Sequence, residues 1–298
     1  MSNAEGDIEM DKRTTTFCLM VALVVGALSL GCQDKIDYLK ARSELNQGVN
    51  AFGRSDYPYA VIHFQKAYDL DPELATAEQY LATSYMMQYI PGGRSEENLA
   101  IATKALEVFE SVLGKDPENA SALAYVASLY FNMGDKMAEA KEAYTTLIGL
   151  DPSDKQARYT MGVIAWTETY QPRVDTRAEY YMKPEDPGPF KVWCDTNRRL
   201  SRSARRACNE ARDKLLEEGL PVLEGGMEHL EKAIELDPDY SDAMAYLNLL
   251  YRERADLAET KTEYQEYTDQ ADHWVNQTLE AKKRVAEAGT QDMFQEGQ

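Results

Sequence analysis

Four times in this chain an apolar segment ends in Asp-Pro, in "YDLDPELATA", "LGKDPENASA", "IGLDPSDKQA" and "IELDPDYSDA", and the residues behind it recur in step. Five positions after Pro72, Pro117, Pro152 and Pro238 stand Ala77, Ala122, Ala157 and Ala243. Four further on stand Leu81, Val126, Met161 and Leu247, followed by Ala82, Ala127, Gly162 and Asn248. Tyr85, Tyr130 and Tyr251 hold the next aromatic position, which is Ala165 in the other copy. A pattern shared by four segments restricts the fold severely, because each copy must be the same small unit and buries its apolar face only against its neighbours. Asp can cap a helix and Pro is tolerated at its first position, so each Asp-Pro is read as the start of a helix where the previous one stops. A companion helix repeats upstream: Ala60, Phe64 and Ala67; Ala105 and Phe109; Ala140 and Tyr144; Leu230 and Ala233. Large and small apolar residues at helical spacing make one buried stripe, and small ones let two antiparallel helices approach closely.

These positions resemble the tetratricopeptide repeat, a helix-turn-helix unit of 34 residues. The stretch "GVNAFGRSDYPYAVIHFQKAYDLDP" keeps Gly48, Tyr57, Ala60, Phe64, Ala67 and Pro72 in that family's register. The resemblance covers roughly residues 41 to 260. It implies an all-α fold, a right-handed superhelix (α-solenoid) of four to five repeats across 41–284. The spacing departs from regularity in two places. Pro72 to Pro117 is 45 residues, which puts an insertion around "MQYIPGGRSEEN", and Pro152 to Pro238 is 86, which puts a long irregular one at about 170–214. The charged helices from Leu247 to Arg284 are expected to form a last pair with a polar outer face. Residues 285–298 are expected to be a disordered tail.

First helices of such repeats line a concave groove that holds peptides or partner helices. The family register places Phe52, Thr83, Met86, Met87, Ser128, Phe131, Tyr159 and Trp166 there. That lining is Met- and aromatic-rich and suits an amphipathic helix or apolar peptide, although packing against the next repeat accounts for each residue equally well. The Lys and Asn pattern with which some members clamp a terminal carboxylate is absent. The resemblance therefore implies a protein-binding scaffold or adaptor, with outer-membrane or pilus-type assembly among the roles it allows. A structural subunit whose groove is filled by its own insertion, and a module for a small molecule or glycan, are the alternatives.

Composition narrows the partners. A net charge of -19 over 298 residues repels phosphates, which argues against nucleic acid. Three histidines, His63, His229 and His273, are far apart and show no metal-ligand spacing, so neither a metal nor another cofactor is expected. No phosphate-cradling Gly-rich loop, nucleophile elbow or Cys/His pair occurs, and most carboxylates read as solvated helix faces, so no enzymatic activity is expected.

Near the amino terminus "FCLMVALVVGALSLG" gives about fifteen uncharged residues after Lys12 and Arg13, the length of a signal peptide and too short to span a bilayer. The acidic start before it makes Met10 an alternative to Met1 as the first residue. Leu30, Gly31 and Cys32 resemble the lipobox of bacterial lipoproteins, with Ser29 where that family prefers Leu. This resemblance implies removal of residues 1–31, acylation of Cys32 (palmitate), a tether over 32–40 and an envelope location, the periplasmic face of the outer membrane ahead of the inner membrane. An ordinary secretory signal, with Cys32 incidental, is the alternative.

The insertion carries the chain's one basic patch, Arg198, Arg199, Arg202, Arg205, Arg206 and Arg212. These arginines either pair with acidic neighbours or serve an acidic partner or lipid headgroups. With Cys18 removed and Cys32 acylated, Cys194 and Cys208 are the cysteines left, and in an oxidising compartment they are expected to form a disulfide.

Overall fold

The computed structural model describes residues 35–183 and 185–295, with side chains through residue 288. Among the described residues there are eleven helices and no strand. Helix α1 covers 35–53, followed by α2 (Tyr57–Leu70), α3 (Ala75–Met86), α4 (Glu96–Lys115), α5 (Ala120–Met133) and α6 (Met137–Leu150). Then come α7 (Lys155–Glu179), α8 (Phe190–Thr196), α9 (Arg202–Leu236), α10 (Ser241–Asp256) and α11 (Lys261–Gln295). The chain divides into two compact units, one ending at Pro117 and the other beginning at Glu118.

In the first unit, α1 to α4 share one core. Leu45 and Ala51 of α1 pack with Ala60, Phe64 and Ala67 of α2 and with Ala77 and Leu81 of α3. Gly48 is where Phe64 seats, since a Cβ at that position would lie 2.5 Å from the Phe64 ring. A buried carboxylate ties α3 to α4: Glu78 accepts from Ser111 Oγ at 2.5 Å and from Lys115 Nζ at 2.9 Å. The first insertion is a turn held by Asn98, which receives the amide of Ile90 and donates to the carbonyls of Ile90 and Gly93.

In the second unit, α5 and α6 form one pair, α7 and α9 the next, and α10 and α11 the last. The alanines five residues after each proline, in both units, are the buried contact points expected, at no more than 3% exposure for Ala77, Ala122, Ala157 and Ala243. Gly162 and Gly226 set the α7–α9 crossing: a Cβ on Gly226 would overlap the Ala165 Cβ, and one on Gly162 would overlap Leu230. Gly134 caps α5 in the left-handed region at φ 77°, which glycine adopts without steric cost.

Asp-Pro does not start the following helix. Asp71, Asp116, Asp151 and Asp237 are the C-caps of α2, α4, α6 and α9, with ψ between 86° and 96°. The reason is the proline ring, which pushes the residue before it out of the helical region and so ends the earlier helix. The following helix begins three residues after the proline in all four copies; Asn119 caps α5 and Asp154 caps α7 by accepting from the amides of Ala122 and Ala157.

The long insertion is a lengthened hairpin within one pair. Helix α7 runs past Thr169 through Pro172 to Glu179, and α9 carries Pro221 in its interior. These helices have 25 and 35 residues against 14 in both α5 and α6. Between them a small separate core gathers Met182, Phe190, Cys194, Leu200 and Cys208. Cys194 and Cys208 are joined by a disulfide with Cα atoms 5.6 Å apart. Two boundaries differ from expectation. Residues 35–40, expected in a tether, are the first turns of α1, where Asp37 and Lys40 pair at 3.5 Å and no Gly or Pro interrupts. Residues 285–295, expected as a disordered tail, continue α11. Residues 1–34, with Met10 and Cys32, lie outside the described residues, as does Pro184. Among the described residues no helix is long and apolar enough to cross a membrane.

Candidate functional site

Helices α5, α7 and α10 are the first helices of their pairs in the second unit. Tyr159 and Trp166 of α7 meet Tyr240, just before α10, and Tyr246 within it. Tyr159 lies against Tyr240 with ring centroids 5.2 Å apart and against Tyr246 at 5.6 Å. Trp166 lies against Tyr246 at 5.7 Å and against Tyr170 at 5.0 Å. Five rings thus run Tyr240–Tyr159–Tyr246–Trp166–Tyr170 without a break. Tyr240, Tyr159, Tyr246 and Trp166 pack on the buried cluster of Leu223, Leu230, Leu247 and Leu250 and stay partly exposed, while Tyr170 is exposed. Packing on the core orients the rings, and the exposed remainder is available to a ligand.

Beside Tyr159 and Tyr246 a recess of about 310 Å³ is lined by Ser128, Phe131, Asn132, Gln156 and Thr160, none of them charged. Tyr240 donates its hydroxyl to Gln156 Oε1 at 2.7 Å. Beside Trp166 and Tyr170 lies a second recess of about 310 Å³ that reaches Arg173, Arg177 and Arg252. Burial, helped by Tyr246 and Asp242, pushes the Tyr159 phenol up to about 12, and burial also raises Tyr240. Both phenols therefore stay protonated near neutral pH and can donate hydrogen bonds.

Of the eight groove candidates, Ser128, Phe131 and Tyr159 line the first recess and Trp166 joins the same run through Tyr246. The other four candidates belong to the first unit. Phe52 makes edge contacts with Tyr57 and Tyr80 at 5.3 and 5.6 Å, and Thr83 donates to the carbonyl of Gln79. These two have internal partners, whereas Met86 is half-buried and Met87, the C-cap of α3, is exposed. Sequence reasoning missed Tyr170, Tyr240 and Tyr246. Their helical spacing from Trp166 and the repeat alanine Ala243 was the available signal.

A second polar constellation fixes the insertion to the last pair. Arg173 and Arg177, one turn apart on α7, both bind the Asp256 carboxylate, Arg177 at 2.5 Å. Arg177 also donates to the carbonyls of Lys183 and Asp186. Arg212 is buried, donating to the Leu257 carbonyl at 2.7 Å and pairing with Glu259 at 2.5 Å. It is therefore an internal anchor rather than part of a surface patch. The remaining arginines divide: Arg205 donates to the Asn197 carbonyl and Arg206 pairs with Glu210, while Arg198, Arg199 and Arg202 are exposed with no ion pair among the described residues.

Glu253 accepts from Thr169 at 2.7 Å, lies 3.7 Å from Arg173 and is buried. Burial, opposed by Arg173 and Thr169, pushes its carboxyl up to about 7. The folded state thus holds this proton more tightly than the unfolded chain does. Its contribution to stability is largest below the ordinary value near 4.5 and is lost as pH rises through about 7. Glu253→Gln is expected to match the parent at about pH 5 and to exceed it by roughly 2–3 kcal/mol at about pH 8.5, from about 1.4 kcal/mol per pKa unit. Urea denaturation at both pH values is the measurement, and a pH-independent difference would overturn the assignment.

Neither protein-family models nor curated proteins gave a match to this chain. Solved structures did. A crystal structure of MamA protein is 16% identical, covers 83% of this chain and 94% of its own, and superposes with a TM-score of 0.53. Another crystal structure of MamA, also 16% identical, covers 80% and 96% with a TM-score of 0.51. MamA from Desulfovibrio magneticus RS-1, from residue 41 to the end, is 14% identical, covers 82% and 96%, and gives 0.52. At such identities the likeness concerns the fold alone: this chain shares the all-helical, tetratricopeptide-type array of those proteins.

Proposed function

We propose that this chain is a protein-binding scaffold that holds a peptide segment of a partner along the aromatic run of α7 and α10, and that acylation of Cys32 fixes it to a membrane of the cell envelope. The observation that carries the binding reading is the unbroken line of five partly exposed rings between two recesses. Aromatic side chains provide large contact area at low entropic cost and are enriched at the centres of interfaces. The repeat fold supports the reading, because stacked first helices commonly form partner-binding surfaces. A photo-crosslinking residue at Phe131, in native membranes, should capture one defined partner. Crosslinks confined to this chain's own residues 180–201 would overturn the reading in favour of a self-occupied surface.

Anchoring rests on the Leu30-Gly31-Cys32 sequence after an apolar segment. Each buried methylene of an acyl chain contributes about 0.8 kcal/mol, and stable attachment takes more than one chain, as lipoprotein acylation provides. Cys32→Ala should move the protein from the membrane fraction to the soluble fraction. An unchanged distribution on fractionation would exclude the anchor. Assembly of an outer-membrane or pilus-type complex is the role this combination suits, with the periplasmic face of the outer membrane as the site.

A further inference from the structure

We infer that the first two turns of α1 are a lipid-contact surface, with Ile36 and Leu39 entering the apolar layer of an anionic membrane and Lys35, Lys40 and Arg42 meeting its phosphate headgroups. This rests on the acylation of Cys32 proposed above and adds a direct contact between the folded domain and the bilayer.

Chain length brings the two together. Lys35, the first residue of α1, follows Cys32 by three positions, which even a fully extended chain spans in no more than about 11 Å. Leu39 adds at most about 6 Å, at 1.5 Å of helical rise per residue. A helix tied this closely to lipid meets it at high effective concentration, so contacts too weak to bind alone can still form. The exposed residues at this end are apolar. Leu39 is 67% exposed and Ile36 48%. At about 100° per residue both lie on the side of α1 opposite Ala41, Leu45 and Gly48, its buried face. Further along that outer side stand Ser43, Asn46 and Asn50, all polar. The apolar stripe is thus confined to the end beside Cys32, and helical side chains tilt toward that end.

Charge selects the kind of membrane. A net charge of -19 repels an anionic surface, yet over residues 35–42 Lys35, Lys40 and Arg42 face one carboxylate, Asp37, which pairs with Lys40 at 3.5 Å. The sign is therefore reversed where the anchor places the chain. By the same helical spacing Lys35 and Arg42 flank the apolar stripe on one side and Lys40 on the other. An apolar strip between basic flanks is the pattern of helices that rest in a lipid interface, where the charged heads reach the phosphates while their stems cover apolar surface. Tyr38 fits the same boundary. It is 45% exposed, its ring lies 5.1 Å from the Arg42 guanidinium, and tyrosine is enriched at the level of the headgroups.

The test places a nitroxide label at Leu39→Cys or at Asn50→Cys in the full-length protein, processed in the cell and reconstituted into vesicles of phosphatidylethanolamine and phosphatidylglycerol. Both positions are exposed, so the fold tolerates the label. With Cys32 acylated and Cys194 joined to Cys208, the introduced thiol alone reacts. Collisions with a water-soluble nickel chelate should be several-fold rarer at position 39 than at position 50, and collisions with dissolved oxygen more frequent. The protection at 39 should weaken several-fold in vesicles of phosphatidylcholine alone, and equal protection there would overturn the headgroup contact. Equal nickel access at 39 and 50 in protein that stays with the vesicles would overturn the lipid-contact surface and leave the anchor standing. Protein that fails to associate with the vesicles would overturn the anchor, and this contact with it.

Discussion

Asp256→Ala is expected to remove about 3–5 kcal/mol of stability, the usual cost of leaving buried charge without its partner. Its carboxylate is shared by Arg173 and Arg177, both buried, and no other carboxylate pairs with Arg177 among the described residues. Burial pushes the Asp256 carboxyl up while the two guanidiniums pull it down, so the ionised form depends on their presence. The cost belongs to the stranded cations rather than to a strong attraction. Replacing all three residues, Arg173→Met, Arg177→Met and Asp256→Leu, should therefore recover most of the loss, because a buried ion cluster and an apolar one of similar volume are often equivalent in stability. Urea denaturation followed by circular dichroism measures both variants. A loss below about 1 kcal/mol for the single variant would show that water reaches the cluster.

Phe64→Ala should cost about 3–5 kcal/mol in the first unit. Phe64 is fully buried, stacks on Tyr80 with centroids 5.2 Å apart and fills the space left open by Gly48. Truncation removes the contacts to α1 and α3 at once, and the facing glycine has no side chain with which to close the hole. Phe52→Ala is the informative comparison. Phe52 is only partly buried on the same cluster and makes edge contacts, so a loss of about 1–2 kcal/mol is expected from its smaller buried area. Equal losses at the two positions in thermal unfolding would contradict the core assigned here.

The helix pairs were legible in the sequence because their determinants are local and repeated. An alanine at a fixed distance from each Asp-Pro can only be the point where two helices touch, and Ala77, Ala122, Ala157 and Ala243 are such points. The role of Asp-Pro itself was misread because the effect of proline on the residue before it outweighs the capping preference of Asp. The insertion was visible as excess length but not as lengthened helices, since Pro172 and Pro221 look like breakers and sit inside α7 and α9. In the candidate site, Tyr159 and Trp166 followed from register alone. Tyr240 and Tyr246 needed the knowledge that α7 and α10 lie side by side, which 86 residues between prolines concealed. Arg212 read as one more member of a basic surface because its partners, the Leu257 carbonyl and Glu259, are more than forty residues away.

The attachment of the insertion to α10 has a consequence for local opening. Arg173 and Arg177 from α7 and Arg212 from α9 all find their partners at or just beyond the end of α10. Fraying of that end would leave three buried guanidiniums without their partners at once, so it is costlier by single turns than at a solvated helix terminus. The hairpin tip and the last pair therefore behave as one cooperative unit in exchange with solvent, although the disulfide-bonded core at the tip is covalently independent of α10.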